Sequence, residues 1–204
     1  MANKRRVQKQ SSTEADDVSS PEITLLQRKI VLDYEKLRRV VEVNKELGHQ
    51  IVLTIGSWDM LHIGHVRYLL QARRFGDRLI VAADSDRAIK LYKGEDRPII
   101  PERERLEMLS YQAPIDFVTL IDDVDKKGRW QYKLIRIVRP NVFVAVEDSY
   151  PPKQIRNIKR YCDKLVILPR QAETSTSKKI QDIAKGRLTQ ELLKFVKKIE
   201  HGET

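Results

Sequence analysis

A short apolar run meets a glycine-containing polar turn in the stretch Ile51-Val-Leu-Thr-Ile-Gly-Ser-Trp-Asp-Met-Leu-His-Ile-Gly-His65. Residues 51–55 have the composition of a strand that is buried on both faces, and Gly56 ends it. From Gly64 to Phe75 apolar residues recur at helical spacing, and Gly76 follows as a stop signal. A buried strand that passes through a glycine turn into a helix predicts one unit of a parallel α/β sheet.

The same alternation continues towards the end of the sequence. Further apolar runs occupy residues 79–83, 117–121, 142–146 and 165–168. Stretches with helical periodicity lie between them, at residues 85–92, 102–110, 130–138 and 153–161. Buried strands separated by helices pair in parallel through right-handed crossovers. We therefore expect an α/β fold, a Rossmann-like doubly wound parallel sheet of about five strands, with ligands beyond the carboxyl ends of the strands.

The two ends of the chain fall outside this alternation. Residues 1–20 are mostly polar and charged, which predicts a disordered basic arm. Residues 21–48 predict an N-terminal helical extension, broken at most once, that packs on the main domain of residues 49–185. Two last helices are predicted near residues 175–184 and 189–199, the second forming a C-terminal helix within residues 186–204.

The composition describes a basic chain with enough apolar residues to fold. Its 204 residues carry 39 Lys and Arg against 29 Asp and Glu, a formal net charge of +10, and 41% are hydrophobic. No apolar run approaches the roughly 20 residues of a membrane-spanning helix, and no secretory signal is evident. One cysteine, Cys162, excludes an internal disulfide and a cysteine-cluster zinc site, so we expect a cytoplasmic protein. The surplus charge indicates an anionic partner, a metabolite or a nucleic acid.

The turn after the first strand has the features of a phosphate site. Gly56 permits a tight turn, and Gly64 permits close backbone approach where the following helix begins. The N-terminus of that helix offers free N–H groups and the positive end of its dipole to an anion. His62 and His65 could both turn towards the same phosphate. The alternatives are surface histidines, or a His-x-x-His metal pair that lacks an evident third ligand.

This segment resembles the signature of the cytidylyltransferase-like nucleotidyltransferases. The similarity continues through residues 72–86, through Lys93-Gly-Glu-Asp-Arg97-Pro98-Ile and into residues 169–177, so that it covers roughly residues 48–185. The subgroup most similar by eye is the heptose-phosphate adenylyltransferase type. Glycerol-3-phosphate cytidylyltransferases and the FAD-synthetase-like adenylyltransferases follow.

The resemblance implies that a nucleoside monophosphate is transferred from a triphosphate to a phosphorylated sugar or polyol, with release of pyrophosphate. His62 and His65 would contact the triphosphate near its α-phosphate, and Lys93 would neutralise phosphate charge. Arg170 matches the late phosphate loop of the family and completes the expected catalytic set. Mg²⁺ is the implied cofactor, bridging phosphate oxygens with few protein ligands.

The resemblance also implies a wider set of nucleotide-binding residues. These are Gly56, Ser57, Trp58, Gly64, Asp84, Glu147, Ser175, Thr176 and Ser177. Simpler roles compete with several of these assignments. Trp58 could pack in the core, Lys93 could be an ordinary exposed lysine, and Ser175 to Ser177 could only cap a helix. At least half of the Glu and Arg side chains at 102–105 are expected to form a solvated helix face.

The chain departs from the family at two places. Ile55 and Ser57 stand where related adenylyltransferases have Asn and Cys, and residues 144–152 lack the glycine expected after the fourth strand. The base and the phosphorylated substrate therefore stay open, with ATP favoured over CTP. A module that binds nucleotide or nucleic acid without catalysis remains the alternative, although aromatic residues for base stacking are few. A homodimer is the expected assembly.

Overall fold

The computed structural model describes residues 25–173 and 176–200, so the predicted disordered arm lies outside the described residues. A five-stranded sheet forms the centre of the protein. Its strands are β1 (Ile51–Gly56), β2 (Arg78–Asp84), β3 (Phe117–Ile121), β4 (Val142–Val146) and β5 (Lys164–Leu168). Each strand lies within a residue or two of the apolar run that predicted it.

The strands run parallel in the order β3-β2-β1-β4-β5. The predicted Rossmann-like parallel sheet is therefore confirmed. The order reverses at β1, the strand from which β2 lies on one side and β4 on the other. In sheets of this kind the crevice at such a reversal is where ligands bind. The turn that follows β1 therefore occupies the most favourable position for a site.

Helices cover both faces of the sheet. Their bounds are α1 (Tyr34–Glu46), α2 (Ile63–Arg73), α3 (Asp86–Lys93), α4 (Glu102–Ser110), α5 (Lys133–Val138), α6 (Pro152–Ile158) and α7 (Thr176–Glu200). One core packs α1, α5 and α6 against side chains such as Leu53 and Phe143. The other packs α2 and α4 against the opposite face, around Val52 and Val81. Alternate residues of one strand thus serve two cores, which explains the continuous apolar runs.

Part of the predicted N-terminal extension lies among the described residues and packs on the sheet. Ile30 forms a parallel bridge with Val118, so the segment before α1 covers the outer edge of β3. Asp33 then caps α1 by accepting hydrogen bonds from the N–H groups of Glu35 and Lys36. Residues 28–33, which precede α1, are not helical, and residues 21–24 of the predicted extension lie outside the described part.

Two helix predictions need correction. The two predicted C-terminal helices are one continuous helix, α7, which passes through Gly186 without a break. A Cβ at Gly186 would meet nothing within 4 Å. The glycine is therefore not required for packing, and its effect on stability is limited to its low helix propensity. Helix α5 begins at Lys133 rather than at Trp130, because Trp130 pairs with Val124 in an isolated antiparallel bridge. Among the described helices, none combines the length and the apolar character that a membrane crossing requires.

Gly76 provides a test of the packing between α2 and the sheet. A Cβ at this position would lie 2.7 Å from the Gln50 carbonyl oxygen and 2.8 Å from Val52 Cγ2. We expect Gly76→Ala to lower the free energy of unfolding by about 2 kcal/mol, because the backbone must move to relieve the overlap. Urea titration measures the change. Gly186→Ala, in open space on α7, is the matched control and should not lower the stability.

Candidate active site

A cavity of about 570 Å³ opens at the carboxyl edge of the sheet, where β1 and its neighbours end. Most of the residues that the sequence assigned to a site line this cavity. They are Gly56, Ser57, Trp58, His62, Gly64, His65, Asp84, Lys93, Arg170 and Thr176. The structure therefore brings together side chains from the two ends of the main domain.

The turn between β1 and α2 has an unusual backbone. Trp58 and Met60 both adopt the left-handed region, with φ of 52° and 51°, which costs free energy in residues other than glycine. Trp58 is buried, and its Nε1 donates a hydrogen bond to the Ala82 carbonyl oxygen at 2.9 Å. The indole thus belongs both to the core and to the cavity wall, and it anchors the turn to β2.

His62 begins helix α2 as its N-cap. Its Nδ1 accepts a hydrogen bond from the Gly64 N–H at 3.1 Å. In the neutral ring the proton then resides on Nε2, which is left to act as a donor. A Cβ at Gly64 would lie 2.9 Å from the His62 ring and 3.1 Å from Ala172. The glycine is therefore needed for the approach of the imidazole and the late loop, a reason that the sequence did not reveal.

His65 lies one turn further along α2 and stacks on His62, with ring centroids 4.0 Å apart. Its ring also meets Trp58 edge-on at 5.5 Å. Among the described residues its buried Nδ1 has no hydrogen-bond partner. Burial lowers the pKa of His65 to about 4, with His62 and Lys93 adding to the effect. Burial, with Lys179 nearby, also lowers the pKa of His62. We infer that both rings are neutral in the free protein near pH 7, so each donates through one N–H.

Lys93 contributes a cation to the lining of the cavity. Its Nζ donates to Ser57 Oγ at 2.7 Å, which ties the end of α3 to the turn after β1. Burial and the charge of Arg97 lower the pKa of Lys93, while Asp84 and Asp59 oppose that shift. Lys93 therefore has a defined place in the site, unlike an unattached surface lysine.

Asp84 stands beside Lys93 at the end of β2 and is held by a hydrogen bond from the Tyr92 hydroxyl at 2.6 Å. Burial raises the pKa of Asp84, and the neighbouring Tyr92 and Lys93 oppose that rise. A carboxylate next to Lys93 limits the net positive charge of the cavity.

Asp59 is a buried carboxylate that the sequence analysis did not single out. Arg97 donates to its Oδ2 from Nε at 2.9 Å and from Nη2 at 2.5 Å. The backbone N–H groups of Ile99 and Ile100 add further hydrogen bonds. Although burial opposes it, these donors hold the pKa of Asp59 below its usual value. The carboxylate thus fastens the loop after α3 to the turn that carries His62.

Half of the Glu and Arg side chains at 102–105 are exposed, as expected, and Arg105 is the buried exception. Its side chain is fully buried and donates to the Ser57 carbonyl oxygen at 2.6 Å and to the Ile100 carbonyl oxygen at 2.9 Å. Its third partner is Asp86, at 2.6 Å. Arg103 and Glu104, by contrast, are exposed as predicted. Arg105 therefore supports the cavity wall from behind without facing the cavity.

The segment after β5 closes the other side of the site. The exposed Arg170 side chain lines the cavity, and its backbone N–H donates to Glu147 Oε1 at 2.9 Å. Glu147 itself does not line the cavity, so the structure gives it a supporting position. The Thr176 hydroxyl donates to the Asp59 carbonyl oxygen at 2.7 Å, where α7 begins. Ser175 and the side chain of Ser177 lie outside the described part of the structure.

An aromatic wall forms another part of the cavity lining. Tyr150, after β4, donates to the Ile55 carbonyl oxygen at 3.2 Å and stacks near Trp130, with centroids 5.8 Å apart. The buried carboxylate Asp123, after β3, lines the same region. The rule that sites follow strand ends pointed to this position, but no motif distinguished Asp123 or Trp130. In the loop where the family has glycine, Asp148 adopts a left-handed φ of 61°.

The arrangement suits an anionic ligand more than a bound metal ion. Two neutral imidazoles, Lys93, Arg170 and the first turn of α7 meet on one side of the cavity. A helix N-terminus adds N–H donors and positive potential there. Within residues 25–173 and 176–200, no group of three or more His, Cys, Asp or Glu side chains could hold a metal. The His-x-x-His pair thus finds no third ligand among the described residues.

Comparisons with known proteins agree with this architecture. The model of the cytidylyltransferase-like family matches residues 53–191. The bifunctional protein HldE of Desulfatibacillum aliphaticivorans is 35% identical over 158 residues, which is 75% of this chain and 31% of that protein. HldE of Syntrophotalea carbinolica is 40% identical over 117 residues, 57% of this chain and 23% of the relative. The chain therefore spans about a quarter to a third of the length of these curated relatives.

Solved structures share the fold at lower identity. A lipopolysaccharide core biosynthesis protein from Thermoplasma volcanium has a TM-score of 0.50 and 24% identity, covering 63% of this chain and all of that one. A pantoate-beta-alanine ligase from Francisella tularensis has a TM-score of 0.50 and 14% identity, covering 72% of this chain and 68% of the ligase. At these identities the likeness concerns the fold alone.

A substitution at Arg105 tests whether its buried hydrogen bonds stabilise the wall of the cavity. We expect Arg105→Met to lower the free energy of unfolding by about 3 kcal/mol, because it strips Asp86 of its buried partner and leaves the Ser57 carbonyl without its donor. Urea titration measures the loss. Arg103→Met, on the exposed side of the same helix, is the control and should stay within about 0.5 kcal/mol of the parent. Equal losses in both variants would contradict a special role for Arg105.

The lowered pKa of His65 makes folding stability depend on pH. An unfolded imidazole takes up its proton near pH 6.5, whereas folded His65 does so near 4, so its contribution is complete above pH 6.5 and is lost as the pH falls towards 4. The stability advantage of the parent over His65→Gln should therefore shrink by about 2 kcal/mol between pH 7.5 and 5.0. Urea titrations at both values measure it. An NMR titration that places His65 near 6.5 would disprove the premise.

Proposed function

The chain belongs to the cytidylyltransferase-like family of nucleotidyltransferases, and on that premise we propose that it transfers AMP from ATP to a phosphorylated sugar or polyol. The observation that carries the proposal is the convergence of His62, His65 and Lys93 on one cavity at the topological reversal of the sheet. This is where a triphosphate would meet both a helix N-terminus and a mobile cation.

The reaction needs positioning and charge stabilisation more than covalent catalysis. A phosphate oxygen of the acceptor attacks the α-phosphorus of the triphosphate and forms the new P–O bond. The bond between the α-phosphorus and the bridging oxygen breaks, and pyrophosphate leaves with the electron pair. In this proposal the His62 Nε2–H and the neutral His65 ring would donate to oxygens of the α-phosphate, on which charge develops.

The cations serve different parts of the triphosphate. Lys93 is a compact charge on a flexible stem and can follow the phosphates as the bond breaks. Arg170 and the first turn of α7 suit the β- and γ-phosphates, and thus the leaving pyrophosphate. Since α7 begins at Thr176, which is tied to Asp59, its N-terminus keeps a defined position relative to His62. One connected framework would then orient both ends of the breaking bond.

Mg²⁺ fits this site as an ion held mainly by phosphate oxygens. The described residues offer no cage of three acidic or imidazole ligands, but Mg²⁺ on a triphosphate commonly keeps waters and needs few protein ligands. When bound, such an ion neutralises phosphate charge and lowers the cost of pyrophosphate departure. Asp84 is the carboxylate near Lys93 that could support its water shell.

The aromatic and acidic wall would take the remainder of the two substrates. Trp130 and Tyr150 offer ring faces, and the carboxylate of Asp123 accepts hydrogen bonds, as the hydroxyl groups of a sugar require. The preference for ATP over CTP, and for a sugar phosphate over glycerol 3-phosphate, rests on the resemblance to heptose-phosphate adenylyltransferases. Because the loop after β4 departs from the family, CTP is the second candidate for the triphosphate.

Pyrophosphate release tests the proposal directly. The protein is incubated with Mg²⁺, ATP or CTP and a panel of sugar and polyol phosphates. We expect release with ATP and at least one sugar phosphate. Lys93→Met should lower kcat/KM by about 100-fold or more, because the developing charge loses its cation. Lys90→Met, on the exposed side of the same helix α3, is the matched control and should retain the parent rate.

Two outcomes would contradict the proposal. If neither triphosphate is consumed with any acceptor while ATP still binds, the chain is a nucleotide-binding module without catalysis. If Lys93→Met and Lys90→Met lose the same small fraction of activity, the cavity around Lys93 is not the site of transfer. A rate with CTP that exceeds the rate with ATP would keep the reaction class and overturn the choice of base.

A further inference from the structure

Helix α7 leaves the body of the protein soon after it begins. Thr176 is buried, whereas every residue from 181 to 194 is exposed, on all sides of the helix. These fourteen residues span roughly 20 Å, and a helix of that length without packing is only marginally stable in water. None of these residues belongs to either hydrophobic core among the described residues.

One face of α7 forms a groove with the body. The groove has a volume of about 500 Å³, and its body side consists of Met60 and Ile99. The helix contributes residues at spacings of three and four, beginning at Ile180. Large apolar side chains on this face stay open to solvent, with Ile183 64% and Leu188 59% exposed. Such a stripe along an amphipathic helix is a surface for another helix.

Two opposite charges lie in the middle of this apolar face. Arg187 and Glu191 both line the groove and are one helical turn apart. Neither forms an ion pair with another residue in the part of the chain that the structure describes. A lipid surface would take both charges away from water without supplying matched partners, so it fits this face poorly. A partner with the complementary pair in reverse order fits it well.

A second copy of the chain has that reverse order. Arg187 and Glu191 lie two residues on either side of Thr189. In an antiparallel pair of helices centred on Thr189, Arg187 of each copy faces Glu191 of the other. We propose that α7 is the interface of a homodimer, in which two copies of the helix pack antiparallel across the grooves and two Arg187–Glu191 pairs set the register.

The interface would adjoin the active-site turn without contributing to the cavity. Met60, on the floor of the groove, is one of the two left-handed residues of that turn and directly follows Asp59. Covering Met60 would therefore stabilise the outer side of the loop whose inner side carries His62. The proposal concerns the assembly of the protein, and its test does not depend on whether the proposed transfer reaction occurs.

Charge exchange tests the register. The dissociation constant of the dimer is measured by sedimentation velocity for the full chain and for Arg187→Glu, Glu191→Arg and the double variant. Each single change places like charges together at two symmetric positions, so we expect dissociation constants at least about tenfold higher than for the parent. The double variant should recover most of the loss, because it restores the pairs in reversed order.

A second pair of variants separates the groove face from the rest of the helix. Leu188 lines the groove, whereas Leu193 lies on another face of α7 and does not line it, although the two are similarly exposed at 59% and 56%. Both positions are solvated in the single chain, so Leu188→Lys and Leu193→Lys should fold equally well. We expect Leu188→Lys to abolish the dimer and Leu193→Lys to leave it intact.

Several results would overturn the proposal. A chain that stays monomeric at every concentration has no such interface. A dimer that is indifferent to Leu188→Lys, or one that the double charge exchange fails to restore, assembles through another surface. Co-flotation of the monomer with anionic phospholipid vesicles, lost in Leu188→Lys, would assign the groove to a membrane surface instead.

Discussion

The candidate site depends on the ion pair and hydrogen bonds that the buried carboxylate of Asp59 forms. Its side chain binds Arg97 and two backbone N–H groups, and its own carbonyl oxygen accepts the hydroxyl of Thr176. Three segments that are far apart in the sequence therefore meet at one residue: the turn after β1, the loop after α3 and the start of α7. A buried charge is tolerated only when its partners are complete, so the loop after α3 and the turn after β1 must be in place together. The hydrogen bond from Thr176 ties the start of α7 to the same residue through its backbone. The left-handed backbone at Trp58 and Met60 is held within this framework.

This framework also determines which basic side chains remain available to bind a ligand. Arg97 is committed to Asp59, and Arg105 is committed to Asp86 and to backbone carbonyls, so neither is available to a ligand. The two histidines are neutral in the free protein, by the direction of their pKa shifts. Among the described residues, Lys93 and Arg170 are therefore the lysine and arginine that line the cavity, despite a formal net charge of +10. Most of the surplus lies elsewhere, and the basic composition alone is a poor guide to the ligand.

The fold was predictable from sequence because each strand serves two cores, and burial on both faces leaves uninterrupted apolar runs. The edge that carries the site followed from the same pattern, since parallel strands end together. The sequence could not reveal which of several similar side chains is buried, or which residues distant in sequence are in contact. The Glu and Arg side chains of α4 alternate without a period that distinguishes buried Arg105 from exposed Arg103. Nothing local connects Asp59 to Arg97, or Trp130 to Val124. The two helices predicted at residues 175–184 and 189–199 are one helix that continues through Gly186, since a glycine in a solvated helix costs only about 1 kcal/mol.

The neutrality of the histidine pair bears on how such a site could favour a transition state. A site made only of cations would bind the triphosphate tightly before reaction, and equal stabilisation of ground and transition states does not accelerate the chemical step. A neutral imidazole binds a ground-state phosphate oxygen weakly, and its hydrogen bond strengthens as negative charge accumulates on that oxygen. The arrangement on α2 keeps such a donor in place, because the His62 Nδ1 is occupied by the Gly64 N–H and its Nε2–H is left for the ligand. Arg170 and the N-terminus of α7 would then provide binding, while the histidines and Lys93 would respond to the charge that develops as the bond breaks.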